Sequence, residues 1–122
     1  MAKKILVVDD SSTIRSQVAF SLGPAGYTVI EAVDGEDGIR KLDANLDVAM
    51  VICDVNMPRM SGLEMLEKLK GNGRALPPVV MLTTEGSVDL ITKAKALGAK
   101  GWMVKPFKPD MLIGAVRKIA GA

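Results

Sequence analysis

Five short apolar runs recur along the chain, and each gives way to a segment in which apolar residues return at helical spacing. The runs occupy residues 5–8, 27–30, 50–53, 79–82 and 101–104. Between and after them come Ile14, Val18 and Leu22; Ile39, Leu42 and Leu46; Leu63, Leu66 and Leu69; Leu90, Ile91, Ala94 and Leu97; and Leu112, Val116 and Ile119. Runs without polar alternation are strands covered on both faces, and a stripe at three- and four-residue spacing is the buried side of a helix. Strand then helix, five times over, predicts a parallel sheet with helices on both faces, joined by right-handed crossovers.

The punctuation agrees. Ser11-Ser12 supplies a helix cap behind the first strand, and Gly23-Pro24 ends the helix that follows. The second helix begins after Asp34-Gly35, and Gly38 and Asn45 predict that it is short or frayed. Ser61-Gly62-Leu63-Glu64 has the form of a capping box, and Gly71-Asn72-Gly73 ends the third helix. Gly98 is placed to end the fourth in a left-handed conformation, and Pro109 suits the first turn of the last.

Composition narrows what such a fold is for. At 122 residues, 48% apolar and 25% charged, residues 1–122 make one globular domain with no linker in view. A net charge of +2 and only Phe20, Tyr27, Trp102 and Phe107 as aromatics speak against a nucleic-acid partner. Cys53 alone cannot form an internal disulfide, and no apolar run spans a membrane or forms a secretory leader. The expectation is a cytoplasmic protein, monomeric and without a membrane partner.

Chemistry gathers where the strands stop. The first ends in Asp9-Asp10, the third in Asp54, the fourth in Thr83 and the fifth in Lys105. Carboxyl ends of strands in an open parallel sheet are where sites are built. Three acids brought together repel one another, and one lysine leaves about two negative charges over, which a divalent cation would balance. The oxygen donors, in a chain with no histidine, favour Mg²⁺ or Mn²⁺ over zinc. A cation, a lysine and a threonine hydroxyl around one central carboxylate describe phosphoryl transfer with Asp54 as the nucleophile.

The set Asp9-Asp10, Asp54, Thr83 and Lys105-Pro106, with Asn56-Met57-Pro58 after the central acid, resembles the receiver domain of two-component response regulators, in its stand-alone, chemotaxis (CheY-like) form. The resemblance covers nearly the whole chain. It implies a flavodoxin-like, doubly wound five-stranded sheet of order 2-1-3-4-5 with five helices. It implies that Asp54 takes a phosphoryl group from a histidine kinase, and that Asp9, Asp10, Asp54 and the backbone carbonyl of Asn56 hold Mg²⁺. Lys105 would bridge to the phosphoryl group, and Thr83 and Trp102 would carry the switch. Asn56 and Glu85 would set the lifetime of the phosphorylated form. Lys93, Lys100, Trp102 and Lys108 would face a phosphorylation-dependent protein target such as a flagellar motor switch. Such a protein catalyses only the gain and loss of its own phosphoryl group.

A phosphate-sink receiver without a motor target shares every residue named and stays an alternative. Two other classes fit less well. A Mg²⁺-dependent phosphohydrolase working through an aspartyl phosphate would want an acid at position 56, where Asn56 has no proton to give. In a flavin or nucleotide binder of the same fold, Asp9-Asp10 would repel the phosphate.

Overall fold

The alternation resolves into β1 (Lys4–Val8), α1 (Ser12–Leu22), β2 (Thr28–Ala32), α2 (Gly35–Ala44), β3 (Val48–Asp54), α3 (Gly62–Gly71), β4 (Val79–Thr83), α4 (Val88–Ala96), β5 (Gly101–Val104) and α5 (Pro109–Ala120). This computed structural model describes residues 3–55, 61–71, 77–83, 88–105 and 107–121. The strands form one sheet in the order β2-β1-β3-β4-β5, and every neighbouring pair is parallel. That is the expected order.

Strand pleating divides the core in two. Ile5 and Val7 of β1, Met50 and Ile52 of β3, and Val80 and Leu82 of β4 pack with Val18, Leu22, Leu112 and Val116 from α1 and α5. Their neighbours Leu6, Val8, Val51, Cys53, Val79 and Met81 pack on the other face with Leu42, Leu66, Leu69 and Ala94 from α2, α3 and α4. Fully burying one such aliphatic side chain stabilises by about 1.5–3 kcal/mol, so the three central strands anchor the sheet. They also hold its carboxyl edge rigid.

Helix starts follow the sequence signals. Ser11 caps α1 by accepting from the Ile14 amide at 3.3 Å. The capping box of α3 is formed: Ser61 Oγ accepts from the Glu64 amide at 3.2 Å, and the Ser61 amide donates to Glu64 Oε1 at 3.4 Å. Gly98 takes φ of +100° after α4. Pro109 opens α5.

The second helix is short, ten residues ended by Asn45 as expected, but two readings of its residues are corrected. Leu46 lies beyond the end of the helix and is 84% exposed, because the chain turns after Ala44 towards β3. Gly38 does not fray the helix. It is buried against the sheet, where a Cβ would stand 2.9 Å from Met65 Sδ and 3.1 Å from Val8 Cγ2, so its lack of a side chain lets α2 approach β1 and α3.

The first turn of α2 carries a pH-dependent contribution. Burial works to raise the Asp37 pKa, but the Val33 amide at 3.0 Å, with Lys41 and Arg40 alongside, outweighs it and holds the carboxyl below its ordinary value. A carboxylate with a depressed folded pKa stabilises above its unfolded pKa and loses that contribution as pH falls through the folded one. Asp37→Asn should therefore cost about 1 kcal/mol at neutral pH, since it replaces charged acceptors by neutral ones. Urea unfolding of both proteins at neutral pH and near pH 3 checks this: the gap should shrink in acid, and a gap independent of pH would refute it.

Candidate functional site

Parallel register carries the ends of β1 and β3 to the same edge, with Val8 opposite Cys53, so the residues that follow, Asp9 and Asp54, are side by side. Asp9 and Asp54 are 1% and 6% exposed, whereas Asp10 is exposed. Each of the three offers a carboxylate oxygen, and these oxygens lie within 4.8 Å of one another.

Lys105, immediately after β5, crosses to this edge. Its Nζ donates to Asp9 Oδ2 at 2.8 Å and stands 3.5 Å from Asp54 Oδ2, with only 11% of the side chain exposed. One ammonium thus serves two buried acids. The sequence left open which acid it meets; the tighter contact is to Asp9. The other Asp9 oxygen accepts from the Ser11 amide at 2.8 Å, which links the acid to the cap of α1.

Three ionised carboxylates and one ammonium leave the edge with a formal charge of −2. The donor atoms are hard oxygens, and two of the three acids are held in place by the core. This set fits a hard divalent cation and not a soft one. Cys53 adds no ligand. It is buried on the opposite side of the strand from the acids, its Sγ lies 3.4 Å from the Asp54 carbonyl oxygen, and burial pushes the thiol pKa far up, with Asp54 and Asp9 adding to the shift. A thiol so protected has almost no thiolate to oxidise.

The remaining predicted residues fall as follows. Thr83 is the last residue of β4 and pairs in register with Val104. Its side chain lies outside the described residues, as do Asn56, Thr84, Glu85 and Pro106. Trp102 sits in β5 opposite Met81 and is partly buried against the core beneath α3 and α4. Its indole N–H is buried and has no acceptor among the described residues. Lys93, Lys100 and Lys108 are exposed.

Two residues at the site escaped the sequence reading. Arg15 donates through Nη1 to the Asp9 carbonyl oxygen at 2.6 Å, and its Nε meets Glu31 Oε1 at 3.1 Å. Gly62 donates its amide to the Val55 carbonyl at 3.1 Å and lies against the backbone of Asp54. The available signals were slight: Arg15 is the sole charge in α1, and Gly62 is an uncommon residue for a helix start.

A five-stranded parallel sheet of this order, with buried acids and a lysine on its carboxyl edge, is the framework of a signalling receiver. The family model for the response regulator receiver domain matches residues 5–117, and the chain belongs to that family. Its members of the CheY type are regulators and not dedicated enzymes. The chain is 42% identical over 121 residues to the chemotaxis protein CheY1 of Helicobacter pylori, covering 97% of each. It is 40% identical over 121 residues to a chemotaxis protein CheY homolog of Campylobacter jejuni, covering 97% of this chain and 92% of that one. Among solved structures, the chemotaxis protein CheY4 of Vibrio cholerae superposes with a TM-score of 0.90 at 38% identity, over 98% of this chain and 99% of that one. Among the described residues, no helix is long and apolar enough to cross a membrane.

Proposed function

We propose that residues 1–122 form a single-domain response regulator of a chemotaxis-type phosphorelay, which takes a phosphoryl group on Asp54 and changes its protein partner in consequence. The observation that supports this most is the position of Lys105 Nζ between Asp9 and Asp54, beside carboxylate oxygens grouped within 4.8 Å.

The roles of Asp54 and Lys105 are supported by their placement, and those of Thr83, Asn56 and Glu85 by the family resemblance. One Asp54 oxygen attacks the phosphorus of a kinase phosphohistidine. The P–N bond breaks, its electron pair stays on the imidazole nitrogen, which takes a proton, and an acyl phosphate remains on Asp54. Asp9, Asp10, Asp54 and the Asn56 carbonyl would hold Mg²⁺, with Mn²⁺ as a substitute, and the bound cation supplies charge neutralisation at the phosphoryl oxygens. Lys105 adds a second cation at those oxygens, and the Thr83 hydroxyl donates a hydrogen bond to them. Loss of the group is the attack of water on phosphorus, breaking the P–O bond and restoring the carboxylate; Asn56 and Glu85 tune its rate.

Phosphorylation adds about −1.5 to −2 charges beside Lys105, at the end of the strand that carries Trp102. Trp102 and Thr83 form the switch in this reading, and the buried indole N–H, without an acceptor among the described residues, is a donor that a changed packing can use. The target surface comprises Lys93, Lys100, Trp102 and Lys108, of which Trp102 and Lys108 line a groove of about 360 Å³ with Met103, Val104, Phe107 and Met111. An apolar groove with Lys108 on its wall and further exposed lysines on α4 and before β5 suits an acidic, partly apolar partner, such as a component of a flagellar motor switch. The cell compartment that goes with this is the cytoplasm.

Intact-mass measurement after incubation with a small acyl phosphate or phosphoramidate and Mg²⁺ tests the reading. Wild type should gain the mass of one phosphoryl group, and Asp54→Asn should gain none. An adduct that persists in Asp54→Asn, or continuous turnover of unrelated phosphate esters, would overturn it.

A further inference from the structure

We propose that Arg15 is a positioning residue for the acidic pair, acting through the Asp9 carbonyl to set where Asp10 presents its carboxylate. The inference rests on the cation-binding role given above to Asp9, Asp10 and Asp54.

Arg15 is the only charged residue of α1, and its side chain is 13% exposed although it is anchored on a surface helix. The guanidinium is spent on two contacts. Nη1 donates to the Asp9 carbonyl oxygen at 2.6 Å, and Nε pairs at 3.1 Å with Glu31 of the edge strand β2. The same short segment is gripped from other sides: the Asp9 amide donates to the Ala32 carbonyl at 3.1 Å, the Ser11 amide donates to Asp9 Oδ1 at 2.8 Å, and the Arg15 amide donates to the Ser11 carbonyl at 3.1 Å. The carbonyl of Asp9 and the amide of Asp10 share one rigid peptide plane. Holding that oxygen therefore fixes the Asp10 amide and the place of its Cα.

Asp10 needs this help more than its neighbours. Asp9 has Lys105 and Ser11 on its own carboxylate, whereas the Asp10 carboxylate is exposed and has no hydrogen bond or ion pair among the described residues. The backbone is the part of Asp10 that its surroundings hold, and it limits the positions the carboxylate can reach. Electrostatics alone argues the opposite use for Arg15, because a guanidinium beside a cation site repels the incoming cation. The two roles predict opposite signs, which makes them separable.

The measurement is the dissociation constant for Mn²⁺ and for Mg²⁺, by calorimetry at fixed ionic strength on unphosphorylated protein, for wild type, Arg15→Gln and Arg15→Lys. Thermal unfolding without metal establishes that each variant is folded. Positioning predicts binding weaker by about tenfold in both variants, the size usual when a group that orients a ligand is lost. It also predicts altered amide chemical shifts at Asp10 and Ser11 in the metal-free protein, and a phosphorylation rate that recovers at saturating Mg²⁺. Arg15→Lys keeps the charge and loses the fork, so weaker binding there isolates geometry; it also serves if Arg15→Gln does not fold. Tighter or unchanged binding in a folded variant overturns the inference. A wild-type protein that binds neither cation at millimolar concentration would instead remove the functional reading on which it rests.

Discussion

Lys105→Met is expected to lower the melting temperature of the metal-free protein by roughly 10 °C at neutral pH, an estimate that combines a buried-pair penalty with the usual unfolding entropy per residue. The wild-type ammonium lies 2.8 Å from Asp9 and 3.5 Å from Asp54, and the three side chains are 11%, 1% and 7% exposed. Deleting one partner of a buried ion pair costs about 3–5 kcal/mol because the survivor keeps its desolvation penalty without the compensating attraction. The lower end, about 3 kcal/mol, applies here, since the site opens at the sheet edge beside exposed Asp10 and water can relieve part of the loss. A chain of this length shifts by about 4 °C per kcal/mol.

Added Mg²⁺ should then stabilise Lys105→Met more than wild type. A ligand that binds only the folded state raises stability in proportion to the logarithm of its concentration over its dissociation constant, and removal of the competing ammonium lowers that constant. Differential scanning calorimetry with and without Mg²⁺ measures both effects. A variant that melts within about 2 °C of wild type without metal would show that the buried pair contributes little. A metal-induced shift no larger than that of wild type would show that Lys105 and the cation do not share the same acids.

The fold was legible because hydrophobic pattern and punctuation pointed the same way at nearly every element. Apolar runs without alternation are unambiguous once five of them are each followed by a helical stripe, and the caps at Ser11, Ser61 and Gly98 fall where the sequence placed them. Leu46 and Gly38 were misread for a common reason. A stripe extrapolated past a helix end takes no account of where the chain turns, and a glycine's low helix propensity says nothing of the neighbour that needs the space.

The candidate site divides along the same line. Side chains that carry charge at strand ends were readable as Asp9, Asp10, Asp54 and Lys105, since few structural reasons put acids there. What could not be read was which acid takes the tighter contact with the lysine. That depends on the path of the chain after β5 and on the reach of a flexible side chain, neither of which leaves a periodic trace. Arg15 was hidden similarly, because its partners are a backbone carbonyl and a residue on another strand. Contacts to backbone leave no pairing of residue types to detect.

Gly62→Ala is the second change with a large expected effect, and it joins the packing of α3 to the geometry of Asp54. A Cβ built at position 62 would lie 2.3 Å from the Asp54 carbonyl oxygen, 2.8 Å from Met81 Cε and 3.0 Å from Cys53 Sγ. The methionine end can swing, but the carbonyl cannot, because Asp54 is paired to Leu82 in the middle of the sheet. Helix α3 must therefore move off the sheet and carry buried Leu63, Met65, Leu66 and Leu69 with it, or the Asp54 backbone must yield. Overpacking of this kind costs about 1–3 kcal/mol, which outweighs the gain of up to about 1 kcal/mol from replacing a helical glycine by alanine. Either movement also disturbs Asp54, so divalent-cation affinity and, on the proposed function, the rate of phosphoryl acceptance should fall together with stability. Two glycines supply the controls. A Cβ at Gly71 meets nothing within 4 Å, so Gly71→Ala should be neutral or slightly stabilising. Gly38→Ala should lose stability against Val8 and Met65 yet lower cation affinity less than Gly62→Ala does, because the Asp54 carbonyl is not among the atoms its Cβ would meet. Urea unfolding and calorimetric titration on the three variants decide the matter, and equal cation affinity in Gly62→Ala and Gly38→Ala would sever the link between the start of α3 and the geometry of Asp54.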